Sequence, residues 1–170
     1  MESTIYVIDI GGKSKLGIMA RPRGGDWLEV DILSVTRQGF DVIVSLLEDD
    51  ETEQLGLTEQ GKICTEHGVR FIRIPIPDRY VPSLDRETLA AISALNDLLS
   101  AGKAVVVHCR MAFGRAPMIA ACLMVSQGWE TESALNKISE TRGFAVPETE
   151  EQRQWIHKFE RTVRAPQNRK

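Results

Sequence analysis

The stretch Val105-Val106-Val107-His108-Cys109-Arg110-Met111-Ala112-Phe113-Gly114-Arg115 joins a β-branched run to a short loop that ends on an arginine. The chemistry such a stretch can do is attack by a thiolate on a tetrahedral anion. Cys109 falls just past a buried strand, where α/β proteins place their ligands. The loop from Arg110 to Gly114 is short enough to turn its N–H groups inward, and the helix that follows adds its positive end. Arg115, six residues after Cys109, can grip two phosphoryl oxygens with its planar fork. The same positive field favours the thiolate, the reactive form of a cysteine. Two roles stay open for His108: a structural imidazole that holds the loop through ring hydrogen bonds, or a proton carrier that orients the thiolate. Cys64 and Cys122 lack these surroundings and read as small core residues.

Expelling an alkoxide or phenoxide requires a proton, and a carboxylic acid is its natural source. Asp78, in Ile74-Pro75-Ile76-Pro77-Asp78-Arg79-Tyr80-Val81-Pro82, stands 31 residues before Cys109. A helix and a strand between them return the chain beside the cysteine loop. An aspartate in a proline-rich segment is by itself a turn residue; beside an anion-binding thiolate it is a candidate acid. Asp85 reads instead as the cap of the next helix.

The elements that must position these groups alternate along the chain. Residues 5–10 and 16–20 form two short strands joined by Gly11-Gly12-Lys13. Residues 28–37 place Leu28, Ile32, Leu33 and Val35 on one helical face, ended by Gly39. Strands follow at 42–47 and 69–76, with a helix at 58–67 between them, and Pro75 and Pro77 limit regular pairing on one side of the second strand. Leu89, Ile92, Leu95 and Leu99 recur at helical spacing over 85–99. Residues 104–107 show no polar alternation, as in a strand covered on both faces. Residues 116–125 are apolar nearly all round and predict a central buried helix, and helices at 130–140 and 148–161 complete the chain. The order predicts an α/β fold: a central, mostly parallel (mixed) sheet flanked by helices, with the N-terminal hairpin at its edge.

The length of 170 residues suits one domain, assigned to 1–165, with a short basic tail at 166–170. Net charge is −3, which gives no general case for nucleic-acid or membrane binding. The run Glu48-Asp49-Asp50-Glu51 reads as solvated surface. No segment approaches the roughly 20 apolar residues of a membrane span, and nothing near the N-terminus resembles a signal peptide. Three cysteines cannot all pair within the chain and show no metal-ligand spacing. A reducing, cytoplasmic setting is expected.

Val106-Val107-His108-Cys109, four residues, then Gly114-Arg115 resembles the signature loop of the cysteine-dependent protein tyrosine phosphatase superfamily, whose pattern is His-Cys-x5-Arg followed by Ser or Thr. Length and carboxylate placement are most similar to the small dual-specificity branch, near the cyclin-dependent kinase inhibitor-associated phosphatases. The resemblance extends from about residue 42 to 155. It implies a protein tyrosine phosphatase-like fold and a cysteinyl-phosphate intermediate on Cys109. Asp78 would be the general acid, and Arg110, Met111, Ala112, Phe113, Gly114 and Arg115 the phosphate loop. No metal or other cofactor is implied, because Arg115 and the loop amides supply the countercharge. The implied substrate is a phosphorylated protein or peptide, with phosphate, sulfate or vanadate as occupants of the loop. A shallow pocket open to both phosphotyrosine and phosphoserine or phosphothreonine follows from the short chain. Phe113 and Tyr80 would line its mouth, and Arg79, Arg110 and Arg142 would form a basic rim. Gln152 resembles a glutamine that some members place near the attacking water, although a plain helix start also accounts for it.

The loop departs from the family pattern twice. Ala116 stands where a Ser or Thr hydroxyl normally stabilises the departing thiolate, a loss of roughly 1.5–3 kcal/mol or about 10- to 100-fold in rate. Ala112 replaces a glycine and, if it needs positive φ, adds strain on the order of 1–2 kcal/mol. These departures predict a working but attenuated phosphatase. The alternatives are a non-enzymatic or very slow phosphate-binding module, a phosphoinositide or RNA 5′-phosphatase, and another thiol enzyme such as a sulfurtransferase or arsenate reductase.

Overall fold

Val105, Val106 and Val107 are fully buried because their strand, β5 (Ala104–Cys109), is the middle one of five. It runs parallel to β2 (Lys15–Ala20) on one side and β3 (Val42–Ser45) on the other. Beyond β3 lies β4 (Arg70–Arg73), also parallel. β1 (Tyr6–Ile8) closes the far edge, antiparallel to β2, so the expected mixed sheet and edge hairpin are present. The computed structural model describes residues 2–166. Apart from Pro166, the basic tail assigned to 166–170 lies outside the described residues.

Strand alternation sorts the chemistry of β5 between the two faces of the sheet. Val105, Val107 and Cys109 enter the core formed with α4 (Arg86–Ser100), α5 (Arg115–Ser126), α6 (Thr131–Arg142) and α7 (Glu150–Arg164). Ala104 and Val106 enter the opposite core, under α1 (Leu28–Arg37) and α3 (Gln60–Glu66), and His108 points to that side. α5 packs against α4, α6 and α7, and every residue from Arg115 to Val125 is buried. That accounts for its apolar circumference. Asp85 caps α4 by accepting the Thr88 N–H at 2.9 Å.

One helix was not expected. The acidic run forms α2 (Asp49–Gln54), which has no apolar stripe to announce it. Its first turn is instead closed by a reciprocal pair: Glu48 caps the Glu51 N–H, and Glu51 Oε2 accepts the Glu48 N–H at 3.0 Å. The loop before α1 also braces it, since Gly25 N–H donates to Gly56 O at 3.1 Å. A β-carbon on Gly24 would stand 2.0 Å from Leu55 O, so only glycine permits this approach. β4 ends earlier than expected, yet Ile74 and Ile76 still donate to Ser45 O and Leu46 O. Pro75 and Pro77 fall on the alternate positions of this edge segment, where no partner strand needs an N–H. Among the described residues no helix is long and apolar enough to cross a membrane.

Candidate active site

Cys109 ends β5 with 3% of its surface exposed, and Gly114 caps the start of α5. The loop between them lines a cavity of about 190 Å³, into which Asp78 and Glu148 reach from two other segments. Arg110, Met111, Phe113 and Arg115 share that lining. The structure therefore brings the candidate thiol, arginine and acid into one cavity. Cys64 and Cys122 are buried elsewhere in the two cores; burial pushes the Cys64 thiol up to about 12 and Cys122 well above its ordinary value, so both stay as thiols.

Arg115 is 1% exposed and anchored on three sides. Its Nη1 donates to Glu51 Oε2 at 2.8 Å and to Ile76 O at 2.8 Å, while Nη2 donates to Glu51 Oε1 at 2.9 Å. Nη2 also lies 3.1 Å from Asp78 Oδ1. The guanidinium is thus gripped by one carboxylate and faces a second across the cavity. Burial alone would raise the Glu51 carboxyl; hydrogen bonds from Arg115 and from the Glu48 N–H, with the charges of Arg115 and Arg110, outweigh it and hold the group below the usual range. Glu51 corrects the reading of residues 48–51 as solvated: it is 7% exposed. A buried arginine needs a counterion, but that Glu51 supplies it, just after the C-terminal end of the strand bordering the anion loop, becomes readable only once the sheet order is known.

Asp78 is held over the cavity by a turn that Tyr80 N–H closes on Pro77 O at 3.1 Å, with Arg79 at φ +67°. The Arg79 side chain reaches Glu148, Nε to Oε1 3.5 Å. His108 is fully buried: its Nε2 meets Gln60 Nε2 at 3.0 Å and its Nδ1 meets Cys109 O at 3.4 Å. A neutral ring with the proton on Nδ1 satisfies both contacts. Burial pushes its pKa down to about 4; the Cys109 carbonyl opposes this and the Arg115 and Arg21 charges add to it. The geometry is that of a brace beneath the loop.

Ala112 adopts φ +56°, so the strain expected of a side chain there is present, at a cost of about 1–2 kcal/mol. Arg142 holds the strained turn: Nε donates to Ala112 O at 3.1 Å and Nη2 to Met111 O at 3.2 Å, while Nη1 bonds the Tyr6 hydroxyl at 3.0 Å. Arg142 clamps the loop with these donors and is not a free rim charge. Arg110 leans toward Glu51, Nε to Oε1 3.6 Å. Ala116 is buried in the same core cluster as Cys109. Gln152 is buried and forms a capping box with Thr149. Its amide also packs on the loop, since a β-carbon on Gly114 would come within 2.8 Å of Gln152 Oε1.

A buried strand ending on a thiol, an anion loop and a buried arginine define a cysteine-based phosphatase. The chain belongs to the dual specificity phosphatase family: residues 30–162 match the model described as "Dual specificity phosphatase, catalytic domain". Among solved structures, it is similar to a kinase associated phosphatase with its catalytic-site cysteine replaced by serine, at 18% identity over 98% of both chains and TM-score 0.87. It is also similar to Tk-PTP in its active form, at 28% identity over 91% of this chain and 96% of that one, TM-score 0.73. PTPMT1 in complex with PI(5)P shares 19% identity over 93% of this chain and 96% of that chain, TM-score 0.73.

Proposed function

We propose that residues 1–165 form one phosphatase domain that hydrolyses phosphomonoesters on proteins or peptides, at tyrosine and at serine or threonine, in a cytoplasmic setting. The observation that carries this is the Arg115 guanidinium, held by Glu51 and aimed at Asp78 in the cavity that Cys109 lines. In the first step Cys109 Sγ attacks phosphorus in line, the bond to the leaving oxygen breaks, and the Asp78 carboxyl gives that oxygen its proton. In the second, Asp78 takes a proton from water as the water oxygen attacks phosphorus, and the S–P bond breaks to return the thiolate. Arg115 and the loop N–H groups from Arg110 to Arg115 balance the equatorial oxygens. His108 and Gln152 act by holding the loop. The small cavity, with Tyr80, Met111 and Phe113 exposed around it, supports a shallow site open to both kinds of phosphoresidue.

The test is hydrolysis of a small aryl phosphate, with acid-quenched protein examined for a phosphoryl group on Cys109. Steady release that vanishes in Cys109→Ser is the expected result; release unaffected by that change would overturn the assignment. The positive φ at Ala112 and the missing hydroxyl at position 116 favour a second, slower reading, in which one equivalent is released and the phosphoenzyme then stalls. Ala116→Ser is expected to raise steady turnover about 10- to 100-fold while leaving the first-turnover amplitude at one equivalent, as read by stopped-flow. A steady rate unchanged by that substitution would remove the hydroxyl from the account of turnover.

A further inference from the structure

The mouth of the cavity carries an apolar collar. Eight large hydrophobic side chains are exposed among the described residues, and four of them, Tyr80, Met111, Phe113 and Phe144, stand at or beside this site. Tyr80 and Met111 are 62% and 61% exposed, well beyond what packing against the loop requires. Phe113 and Phe144 form a ring pair with centroids 4.7 Å apart, and the Arg142 guanidinium lies 4.2 Å from the Phe144 ring centre on its other contact. This gives a fixed platform beside the pocket. Tyr80 stands on the turn that carries Asp78, and its carbonyl faces Gln152 Nε2 at 3.5 Å.

The guanidiniums around the collar already have partners within the protein. Arg79, Arg110 and Arg115 face the three carboxylates Glu148, Glu51 and Asp78, and Arg142 donates to loop carbonyls and Tyr6. The loop amides and Arg115 serve the phosphoryl group itself. The Asp78 carboxyl carries the proton for the leaving group, so the carboxylate that a second anionic group would meet at the cavity wall is Glu148.

We propose that this collar selects phosphopeptides in which bulky apolar residues flank the phosphorylated one, and disfavours acidic flanks and multiply phosphorylated headgroups. The proposal rests on the phosphatase reading of the site and names its substrate class. Apolar side chains on the substrate gain by leaving water against Tyr80, Met111 and the Phe113–Phe144 pair, whereas acidic ones meet the Glu148 carboxylate at the cavity wall.

The experiment measures kcat/KM for three phosphotyrosyl peptides of equal length, flanked by Leu and Phe, by Ala, or by Glu, with a multiply phosphorylated inositol lipid in mixed micelles as a fourth substrate. The apolar peptide should exceed the alanine peptide about tenfold, equivalent to about 1.4 kcal/mol, and the acidic peptide should fall below both. Phe144→Ser and Tyr80→Ser should each cut the apolar-to-alanine ratio by about threefold or more; the ratio cancels any general loss of activity. A preference for the acidic peptide or the lipid, or a ratio unmoved in both variants, overturns the collar. A small aryl phosphate run alongside separates the two failures. Its turnover without any peptide preference sinks the collar alone, and no turnover at all sinks the phosphatase reading and the collar with it.

Discussion

Replacing Glu51 by glutamine is expected to destabilise the fold by about 3 kcal/mol, a fall of roughly 6–12 °C in Tm for a chain of this size. It is also expected to lower kcat/KM on a small aryl phosphate about 10²-fold. Glutamine keeps the volume and one acceptor oxygen but removes the charge that faces both Nη atoms of the buried Arg115. A guanidinium left in that place without its counterion must draw in water or move, and either displaces the group meant to hold the phosphoryl oxygens. The pH dependence fixes the sign. Because Glu51 is held below the usual range in the folded state, its contribution is complete above the unfolded value, about 4.3, and is lost as pH falls through the lowered folded value. The stability gap between wild type and Glu51→Gln should therefore be constant near neutrality and shrink in acid. Denaturant titrations from pH 7 to pH 3, with vanadate inhibition as a readout of the loop, test this. A gap below about 1 kcal/mol at pH 7, with vanadate affinity unchanged, would show that Arg115 does not depend on Glu51.

The difference between Arg115 and Glu51 shows what the sequence could carry. Arg115 was legible because its distance from Cys109 is set within one loop, and the loop is specified by strand, thiol, glycine and helix start together. Glu51 is 64 residues away from Arg115, on a six-residue helix made only of polar residues, so neither periodicity nor spacing could separate it from solvated surface. Only the sheet order β5-β3 brings the chain after β3 beside the cysteine loop. The same limit applied to the arginines. Arg79, Arg110 and Arg142 were recognisable as cations near the site, but which carboxylate or carbonyl each would face depends on contacts between distant segments. Arg142 in particular reaches the loop from the end of α6. Periodic elements were the most legible: α1 falls at Leu28–Arg37, as its apolar face requires, and β5 needed only its three valines. Its extension to Cys109 was hidden because His108 and Cys109 resemble loop chemistry, although both are paired with neighbouring strands.

Asp78→Asn is expected to lower kcat/KM on an alkyl phosphate by about 10²- to 10⁴-fold, and to have a far smaller effect on a phenolic ester whose leaving group needs little protonation. The parameter matters, because kcat/KM reports events through transfer of the phosphoryl group to Cys109 and excludes hydrolysis of the intermediate, where Asp78 acts as base. Asparagine preserves the shape of the turn closed by Tyr80 N–H on Pro77 O and removes only the transferable proton. The Asp78 side chain is half exposed, so stability should change by no more than about 0.5 kcal/mol. The carboxylate also lies 3.1 Å from Arg115 Nη2, where it competes with an incoming phosphoryl group for the guanidinium. Removing its charge should leave inhibition by inorganic phosphate equal or stronger even as catalysis falls, a split that general damage to the loop cannot produce. Equal losses on the two leaving groups, or weaker phosphate inhibition in parallel with lost rate, would transfer the proton to another group. Glu148 is the other carboxylate lining the cavity, and Glu148→Gln measured on the same pair of esters would then identify it.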